Sequence, residues 1–181
     1  MPGEGKHGTI IGVVTVSDRA SAGLYRDESG PAIVAFLERV MTTPAAILTR
    51  IIPDGFESVR GCLIDLADNE GCDLILTTGG TGPSPRDLTP EATEAAAPRL
   101  LPGFGELMRA ESLKQVPTAI LSRQIAAHRG ACLIINLPGK PAAIEVCLTA
   151  VFPAVPYCLD LIGAARIETD PAVLSSFRPK L

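Results

Sequence analysis

The sequence contains no tryptophan, and aromatic residues make up only 4% of its 181 residues. Hydrophobic residues nevertheless reach 46%, so we expect an aliphatic core of the kind found in sheets covered by helices. Neither sign of charge dominates: the formal net charge is −4, and lysine and arginine are scattered singly. Such a chain has no general attraction to nucleic acid or to an acidic membrane, so nucleic-acid binding is disfavoured.

The five cysteines form no C-x-x-C pair, and most lie at positions typical of apolar faces. We therefore expect reduced thiols in a core. The polar segment 1–7 lacks the apolar centre of a signal peptide. The most hydrophobic stretch, residues 147–165, contains Pro153, Pro156 and Asp160, which is typical of a kinked, buried helix rather than a membrane span. The expected location is the cytoplasm.

Several signatures of nucleotide and acyl-transfer chemistry are also missing. There is no G-x-x-x-x-G-K-[ST] phosphate loop and no G-x-S-x-G elbow, which excludes a P-loop ATPase and disfavours a serine hydrolase. The two histidines, His7 and His128, do not suggest a catalytic triad, and His128 is expected to be a surface residue.

Apolar runs alternate with amphipathic segments along the chain. Strands are predicted at residues 9–16, 46–52, 74–77 and 131–137. Helices are predicted at residues 31–41, 90–97 and 106–114, and around Val59–Leu66 and Ile144–Val151. Residues 118–128 are ambiguous, a strand or a hairpin, and residues 164–181 are expected to pack as an extended arm. The alternation predicts an α/β fold over residues 1–181: one domain with three α/β/α layers and a mostly parallel sheet.

Polar residues follow each predicted strand, and the carboxyl ends of parallel strands meet at one edge of a sheet. Asp18, Asp54, residues 79–82 and residues 136–139 are therefore expected to converge there. Residues 77–87 read Thr-Thr-Gly-Gly-Thr-Gly-Pro-Ser-Pro-Arg-Asp. Consecutive glycines after a strand leave backbone N–H groups uncovered, and such groups commonly hold phosphate. The sequence predicts a site for an anionic, phosphorylated ligand.

Asp54 and Asp87 are candidate metal ligands at this edge, since Mg²⁺ prefers one or two carboxylates together with phosphate oxygens. Each has an equally good structural explanation, because Pro-Asp-Gly is a turn signature and Asp87 precedes a predicted helix. Asp18 is likewise either a site residue or a cap. Ser122 with the following arginine is either a phosphate contact or a solvated loop end, and Lys140 is expected to be an exposed turn lysine.

Seven short motifs occur in order along the chain. They are Val14-Thr-Val-Ser-Asp-Arg19, Tyr25-x-Asp27-x-Ser29-Gly-Pro31, Ile52-Pro-Asp54, Thr77-Thr-Gly-Gly-Thr-Gly-Pro83, Arg86-Asp87-x-Thr89-Pro90-Glu91-Ala92-Thr93, Pro102-Gly-Phe-Gly105 and Ile135-Asn-Leu-Pro-Gly-Lys-Pro141. In this order they resemble the molybdopterin adenylyltransferases of the bacterial type and the corresponding domains of plant Cnx and of gephyrin. The resemblance covers nearly the whole chain, including Phe177-Arg-Pro-Lys180.

This resemblance implies the molybdopterin-binding fold, a homotrimer and a role in molybdenum cofactor biosynthesis. It implies transfer of AMP from ATP to the terminal phosphate of molybdopterin, with Mg²⁺ and release of pyrophosphate, before a downstream protein inserts molybdate. Asp54 and Asp87 match the family's catalytic, metal-binding carboxylates. The substrate-binding positions implied by the family are Thr78, Gly79, Gly80, Thr81, Gly82, Ser122, Asn136, Pro138 and Gly139, and Asp18 is added as a further candidate.

A second hypothesis, of a different class, is a molybdopterin-binding carrier or scaffold that transfers no AMP, since a fold does not fix a function. The intact acidic pair argues against it. Related paralogues of uncertain activity share the glycine loop, but residues 17–25 and the Phe-Arg-Pro-Lys ending favour the adenylyltransferase branch.

Overall fold

The computed structural model describes residues 8–180, in which six strands form one sheet with the order β2-β1-β3-β6-β5-β4. The strands are β1 Thr9–Val16, β2 Ala45–Ile52, β3 Leu74–Thr78, β4 Arg99–Leu100, β5 Ala126–Arg129 and β6 Cys132–Leu137. β2, β1, β3 and β6 run parallel, whereas β5 is antiparallel to both of its neighbours. The predicted mostly parallel sheet is confirmed. The polar segment 1–7 lies outside the described residues, and so does Leu181, the last residue of the predicted extended arm.

Helices cover both faces of the sheet, as the three-layer prediction requires. They are α1 Asp18–Ser21, α2 Ser29–Val40, α3 Phe56–Ile64, α4 Thr89–Ala96, α5 Pro102–Leu113, α6 Pro141–Val151 and α7 Val155–Ile162. A π-helical turn, Asp65–Asn69, and two 3₁₀ turns, Pro117–Leu121 and Phe152–Ala154, complete the description.

Strand β3 shows how the sheet divides the core, because its alternate side chains enter different clusters. Leu74 and Leu76 pack with the helical residues Phe36 and Leu148, whereas Ile75 packs on the other face with Leu63. Each of these side chains is almost completely buried. The period-two alternation of a strand therefore explains why apolar residues follow one another without interruption in the sequence.

Several helices begin earlier than the sequence patterns predict, and α2 and α5 show why. α2 starts at Ser29 rather than Pro31, because the Asp27 carboxylate accepts hydrogen bonds from the N–H groups of Ser29 and Gly30 at 3.0 and 3.1 Å. α5 starts at Pro102, so the Pro-Gly-Phe-Gly motif forms its first turn instead of a preceding loop. Proline suits this position, since the first helical N–H has no partner within the helix.

The ambiguous segment 118–128 contains no hairpin of its own: it combines the end of the first 3₁₀ turn with most of strand β5. Strand β4 was not predicted, because two residues carry no recognisable pattern. The predicted extended arm is confirmed for the described residues. It is tied to the body through a bridge between Met41 and Thr169 and through the buried side chains of Ile167 and Leu174.

One helical run in the described part of the chain, Pro141–Ile162, is long and apolar enough by length and composition to cross a membrane. This is weak support for a span, because interior helices of folded domains pass the same test. Its inner side chains, including Leu148 and Phe152, are fully buried, whereas Leu161 is 68% exposed. The run bends through the 3₁₀ turn that contains Pro153, as predicted for a kinked, buried helix.

Replacing leucine by alanine on the buried and on the exposed side of this run should change stability by very different amounts. Leu148→Ala removes a fully buried side chain and is expected to lower the free energy of unfolding by about 2–5 kcal/mol. Leu161→Ala, on the exposed side, should change it by less than about 0.5 kcal/mol. Urea unfolding followed by circular dichroism measures both. Equal losses in the two variants would contradict this assignment of the buried face.

Candidate functional site

The loops after the parallel strands meet at one edge of the sheet, as predicted. Thr78 donates its hydroxyl to the Pro138 carbonyl at 2.8 Å, and Gly79 N–H donates to Leu137 at 3.3 Å, which joins the loops after β3 and β6. On the other side of β3, the loops after β1 and β2 are joined through Asp18 and Asp54. Residues far apart in sequence therefore form a continuous surface.

The glycines of the loop after β3 are required by its geometry. Gly79 and Gly80 have φ angles of 97° and 64°, in the region that side chains disfavour. A methyl group on Gly79 would overlap the Val16 carbonyl oxygen, and one on Gly80 would overlap the Thr89 hydroxyl. Thr89 in turn donates to the Gly79 carbonyl at 3.0 Å, and its N–H donates to Gly80 at 3.1 Å. The start of α4 thus holds the loop in place.

Asp54 and Asp18 bind each other reciprocally. The Asp18 N–H donates to Oδ2 of Asp54 at 2.8 Å, and the Asp54 N–H donates to Oδ1 of Asp18 at 3.1 Å. Oδ1 of Asp54 accepts no hydrogen bond from the described part of the chain, and it lies 3.4 Å from the position that a Cβ on Gly80 would occupy. The free oxygen of Asp54 therefore faces the glycine loop.

Arg86 contacts both of these residues, which the sequence patterns did not predict. Its Nε and Nη2 donate to the two carboxylate oxygens of Asp18 at 2.6 and 2.8 Å, and Nη2 also donates to the Asp54 carbonyl at 2.8 Å. The only available signal was the position of Arg86 next to Asp87, which does not reveal a contact with residues 68 and 32 positions away. The guanidinium links the loop after β3 to those after β1 and β2.

These contacts have opposite effects on the two carboxylates. Burial raises the pKa of Asp54, and the nearby negative charges of Asp18 and Asp87 raise it further, against the Asp18 N–H and the Arg86 charge. The hydrogen bonds from Arg86 lower the pKa of Asp18 below its usual value. Asp54 is thus an acidic group that would gain from a cation close to its free oxygen.

Asp87 lies at the far end of the same loop. Its Oδ2 accepts from the Ser84 N–H at 3.2 Å and would be 2.7 Å from a Cβ on Gly82. The carboxylate does not cap α4, whose N-cap residue is Leu88. Asp87 therefore stabilises a turn and does not cap the helix. Its other carboxylate oxygen, Oδ1, accepts no hydrogen bond within residues 8–180.

Arg123 holds the outer part of the loop. Its N–H donates to the Thr81 carbonyl at 2.8 Å and its Nε to the Gly82 carbonyl at 2.9 Å, while the guanidinium also bonds to the Asp87 carbonyl and pairs with Glu91. Arg123 is therefore not a solvated loop end; its side chain and N–H group hold the loop in place.

A cavity of about 350 Å³ opens beside the glycine loop. It lies between Thr81–Gly82 on one side and Pro138–Lys140 on the other, with Ser122 and Gln124 in its wall. Ser122 donates its hydroxyl to the buried Gln124 side chain, whose amide contacts the Cys147 sulfur at 3.5 Å. Lys140 is exposed, as expected, and also lines the cavity. The surrounding wall is mainly aliphatic: Val116, Ala119, Leu121, Ala142, Ala143 and Val146.

Asn136 lies beneath this surface rather than on it. It is completely buried and donates to the hydroxyls of Thr77 and Thr93 at 3.1 and 2.9 Å, while its Oδ1 has no hydrogen-bond partner in the described residues. Its contacts join β6, β3 and α4 under the loop. Among the predicted substrate-binding residues of this segment, Pro138 and Gly139 therefore line the cavity, whereas the side chain of Asn136 is buried beneath the surface.

His128 lies away from the site, and the cysteines are thiols of the core. His128 is half-buried in β5, with Nδ1 3.0 Å from the Gly130 carbonyl, far from the edge where the glycine loop lies. All five cysteines are free thiols, and burial raises the pKa of each. Protonated core thiols agree with the prediction from their spacing.

Within residues 8–180, no group of three or more His, Cys, Asp or Glu side chains could hold a metal ion by itself. The donors at this edge are instead the free oxygens of two carboxylates. This set fits Mg²⁺, which commonly uses one or two carboxylates and completes its shell with phosphate oxygens and water.

By its fold and this edge, the protein is an α/β protein with a glycine-rich site at the carboxyl ends of parallel strands. Residues 12–157 match the family described as a probable molybdopterin binding domain. The molybdopterin adenylyltransferase of Helicobacter pylori strain 26695 is 53% identical over 170 residues, covering 94% of this chain and 97% of that protein. The molybdopterin adenylyltransferase of Escherichia coli K12 is 47% identical, with 94% and 93% covered.

Solved structures agree with the sequence comparison. The molybdopterin biosynthesis enzyme MoaB from Thermus thermophilus superposes with a TM-score of 0.80 at 41% identity, covering 87% of this chain and 98% of that one. The chain belongs to the molybdopterin-binding domain family, and the predicted family and fold are confirmed.

Any side chain at Gly79 would destabilise the fold in two ways, through crowding against the Val16 carbonyl and through its positive φ, and the two costs can be measured separately. Gly79→Ala combines both penalties, whereas Gly23→Ala adds a methyl at φ 71° with no atom within 4 Å. Gly23→Ala should cost about 1–2 kcal/mol, and Gly79→Ala clearly more. Thermal and urea unfolding of the two variants measure the difference. Equal destabilisation would contradict the crowding at Gly79.

Two isosteric substitutions should have opposite effects on stability near neutral pH. Because the pKa of Asp54 is raised in the folded state, its ionisation opposes folding, so Asp54→Asn should raise the free energy of unfolding at pH 7, by less than about 1 kcal/mol. The pKa of Asp18 is lowered, so Asp18→Asn should reduce stability at pH 7.

Urea unfolding from pH 3 to pH 8 tests both signs. The gain from Asp54→Asn should disappear as the pH falls below the raised pKa and through the ordinary pKa of an aspartate, because the parent carboxyl is then protonated in both states. The loss from Asp18→Asn should shrink as the pH falls through the lowered pKa of Asp18. Changes of the same sign at pH 7 would contradict the assigned electrostatics.

Proposed function

We propose that the protein is a molybdopterin adenylyltransferase that acts in molybdenum cofactor biosynthesis. It transfers AMP from ATP to the terminal phosphate of molybdopterin. The observation that carries the proposal is the free Oδ1 of Asp54 facing the glycine loop, in a chain that matches relatives of this name over more than 90% of its length.

The reaction needs charge neutralisation and alignment rather than a strong base. A terminal phosphate oxygen of molybdopterin, already ionised at neutral pH, attacks the α-phosphorus of ATP. A new P–O bond forms, the bond to the β-phosphate breaks, and its electron pair leaves with pyrophosphate. The enzyme must hold two polyanions in line, and this task requires no histidine or cysteine side chain.

In this proposal, one set of protein groups binds phosphate and another binds the pterin. The N–H groups of Gly80, Thr81 and Gly82, which donate to no group in residues 8–180, are available to phosphate at the end of β3, next to Thr78. The cavity of about 350 Å³ between the loops after β3 and β6 accepts the pterin, with Ser122, Pro138 and Gly139 in its wall. Asp18 and Asn136 support this surface through Asp54 and Thr77.

Asp54 and Asp87 hold Mg²⁺ in this proposal. Bound there, the cation neutralises charge on the ATP phosphates. The support is chemical: each carboxylate has one oxygen without a protein partner in residues 8–180, and burial raises the pKa of Asp54, with a further contribution from the negative charges of Asp18 and Asp87.

The remaining parts of the proposal follow the resemblance. The chain acts in the cytoplasm as a single domain, assembles as a homotrimer and passes adenylylated molybdopterin to a molybdate-inserting protein. Large exposed side chains around the end of α5, including Val116 and Ile120 at 50% and 70% exposure, support burial against another copy.

Pyrophosphate release from ATP and Mg²⁺, with and without molybdopterin, tests the proposed reaction. Asp54→Ala and Asp87→Ala should each reduce pterin-dependent release about 100-fold or more while leaving pterin binding largely intact. Asp68→Ala is the matched control, because Asp68 pairs with Arg129 at the opposite edge of the sheet. It should keep full activity.

Two outcomes would count against the proposal. Tight pterin binding by the parent protein with no pyrophosphate release would assign it to the carrier or scaffold class. Retained turnover in both aspartate variants would remove the carboxylates from the chemistry.

A further inference from the structure

We propose that Arg86 is a positioning residue that, through Asp18, holds the carboxylate of Asp54 in place for metal and nucleotide. The inference rests on the proposed function and assigns a role to a residue outside the carboxylate pair. Because Arg86 directly precedes Asp87, the same contacts set the spacing of the two carboxylates.

Asp54 is held by its neighbours at three points. Its N–H donates to Oδ1 of Asp18 at 3.1 Å, its carbonyl accepts from Nη2 of Arg86 at 2.8 Å, and its Oδ2 accepts from the Asp18 N–H at 2.8 Å. Three contacts fix the backbone and one side-chain oxygen, so Oδ1 is the oxygen left to face Gly80.

Asp18 is in turn oriented by Arg86. The guanidinium donates from Nε and Nη2 to both carboxylate oxygens of Asp18, and this bidentate geometry fixes the plane of the carboxylate. Without Arg86, the Asp18 carboxylate keeps only the contact with the Asp54 N–H, and the Asp54 carbonyl loses its partner. A lysine offers a single charged nitrogen and cannot reproduce the planar fork.

A role in stability alone does not account for these contacts. The Arg86 side chain is 63% exposed and that of Asp18 44% exposed, and ion pairs open to solvent add little to folding. The pair nevertheless joins three loops at the edge where the free oxygens of the two carboxylates lie. Its position fits the orientation of ligands better than the support of a core.

The chain contains a close geometric match for use as a control. Arg129 donates from Nε and Nη2 to both oxygens of Asp68 at 2.8 and 2.6 Å, and its Nη1 donates to the Ala96 carbonyl at 2.9 Å. This is the same bidentate pair with an additional backbone contact, at the opposite edge of the sheet. Arg129→Ala therefore reports the general cost of losing such a pair.

The test combines metal binding with kinetics on the full chain. Mn²⁺ is titrated into the protein with a non-hydrolysable ATP analogue, and free Mn²⁺ is followed by electron paramagnetic resonance. Arg86→Ala should raise the Mn²⁺ concentration at half-saturation about 10- to 100-fold and lower kcat by a similar factor. The KM for molybdopterin should stay within about twofold, since the pterin cavity adjoins the other side of the loop.

Three companion variants sharpen the result. Arg86→Lys should recover only part of the loss, and Arg129→Ala should match the parent in both assays. Asp18→Asn should move both measurements in the same direction as Arg86→Ala. The double variant should be no worse than the poorer single variant, because the two residues act as one unit.

Specific results would overturn the inference. Arg86→Ala behaving like Arg129→Ala would show a pair with no positioning role, and so would additive losses in the double variant. Weaker binding of the nucleotide analogue with unchanged Mn²⁺ half-saturation would assign Arg86 to direct phosphate binding instead. A parent without pterin-dependent pyrophosphate release contradicts the proposed function, while the Mn²⁺ titration decides this inference independently.

Discussion

The site depends on one steric constraint, the absence of side chains where the loop after β3 passes between its neighbours. At Gly79 the backbone packs against the Val16 carbonyl at the end of β1, and at Gly80 it packs against the Thr89 hydroxyl at the start of α4. Any side chain would push the loop away from both. Because the chain can pass this closely, its backbone lies between the carboxylates on one side and the cavity on the other.

The central place of β3 in the sheet explains why its loop meets both groups. β3 lies between β1 and β6, and its five residues are buried, so the following loop starts at the middle of the edge. On the β1 side lie Asp18 and Asp54, where the negative charge collects. On the β6 side lie Pro138 and Gly139 with the mainly aliphatic cavity. A phosphate held at the loop is therefore within reach of a cation on one side and an organic ring on the other.

The parts of this arrangement that depend on local patterns could be predicted from the sequence, whereas contacts between distant side chains could not. Buried strands show as uninterrupted aliphatic runs, and parallel topology requires their ends to share an edge, so the convergence of Asp18, Asp54 and the glycine loop followed. The start of α2 was missed because its first N–H groups are held by the carboxylate of Asp27, which precedes the expected proline. Arg86 reaches Asp18 across 68 positions, and periodicity does not indicate which of sixteen basic residues meets which carboxylate. Asn136 shows the converse: it belongs to a recognisable motif, yet its side chain lies fully buried beneath the surface that the motif forms.

The balance of charge at the edge connects these observations. Asp18, Asp54 and Asp87 contribute three negative charges when ionised, and Arg86 neutralises one of them through its contact with Asp18. The surplus is concentrated on the two carboxylates whose free oxygens have no protein partner in residues 8–180. A polyanionic nucleotide would be repelled from such an edge on its own, although the backbone N–H groups favour its phosphates. In the proposed function, the edge would therefore favour a nucleotide that arrives with a cation. The negative charges that add to the effect of burial on the pKa of Asp54 would also attract that cation.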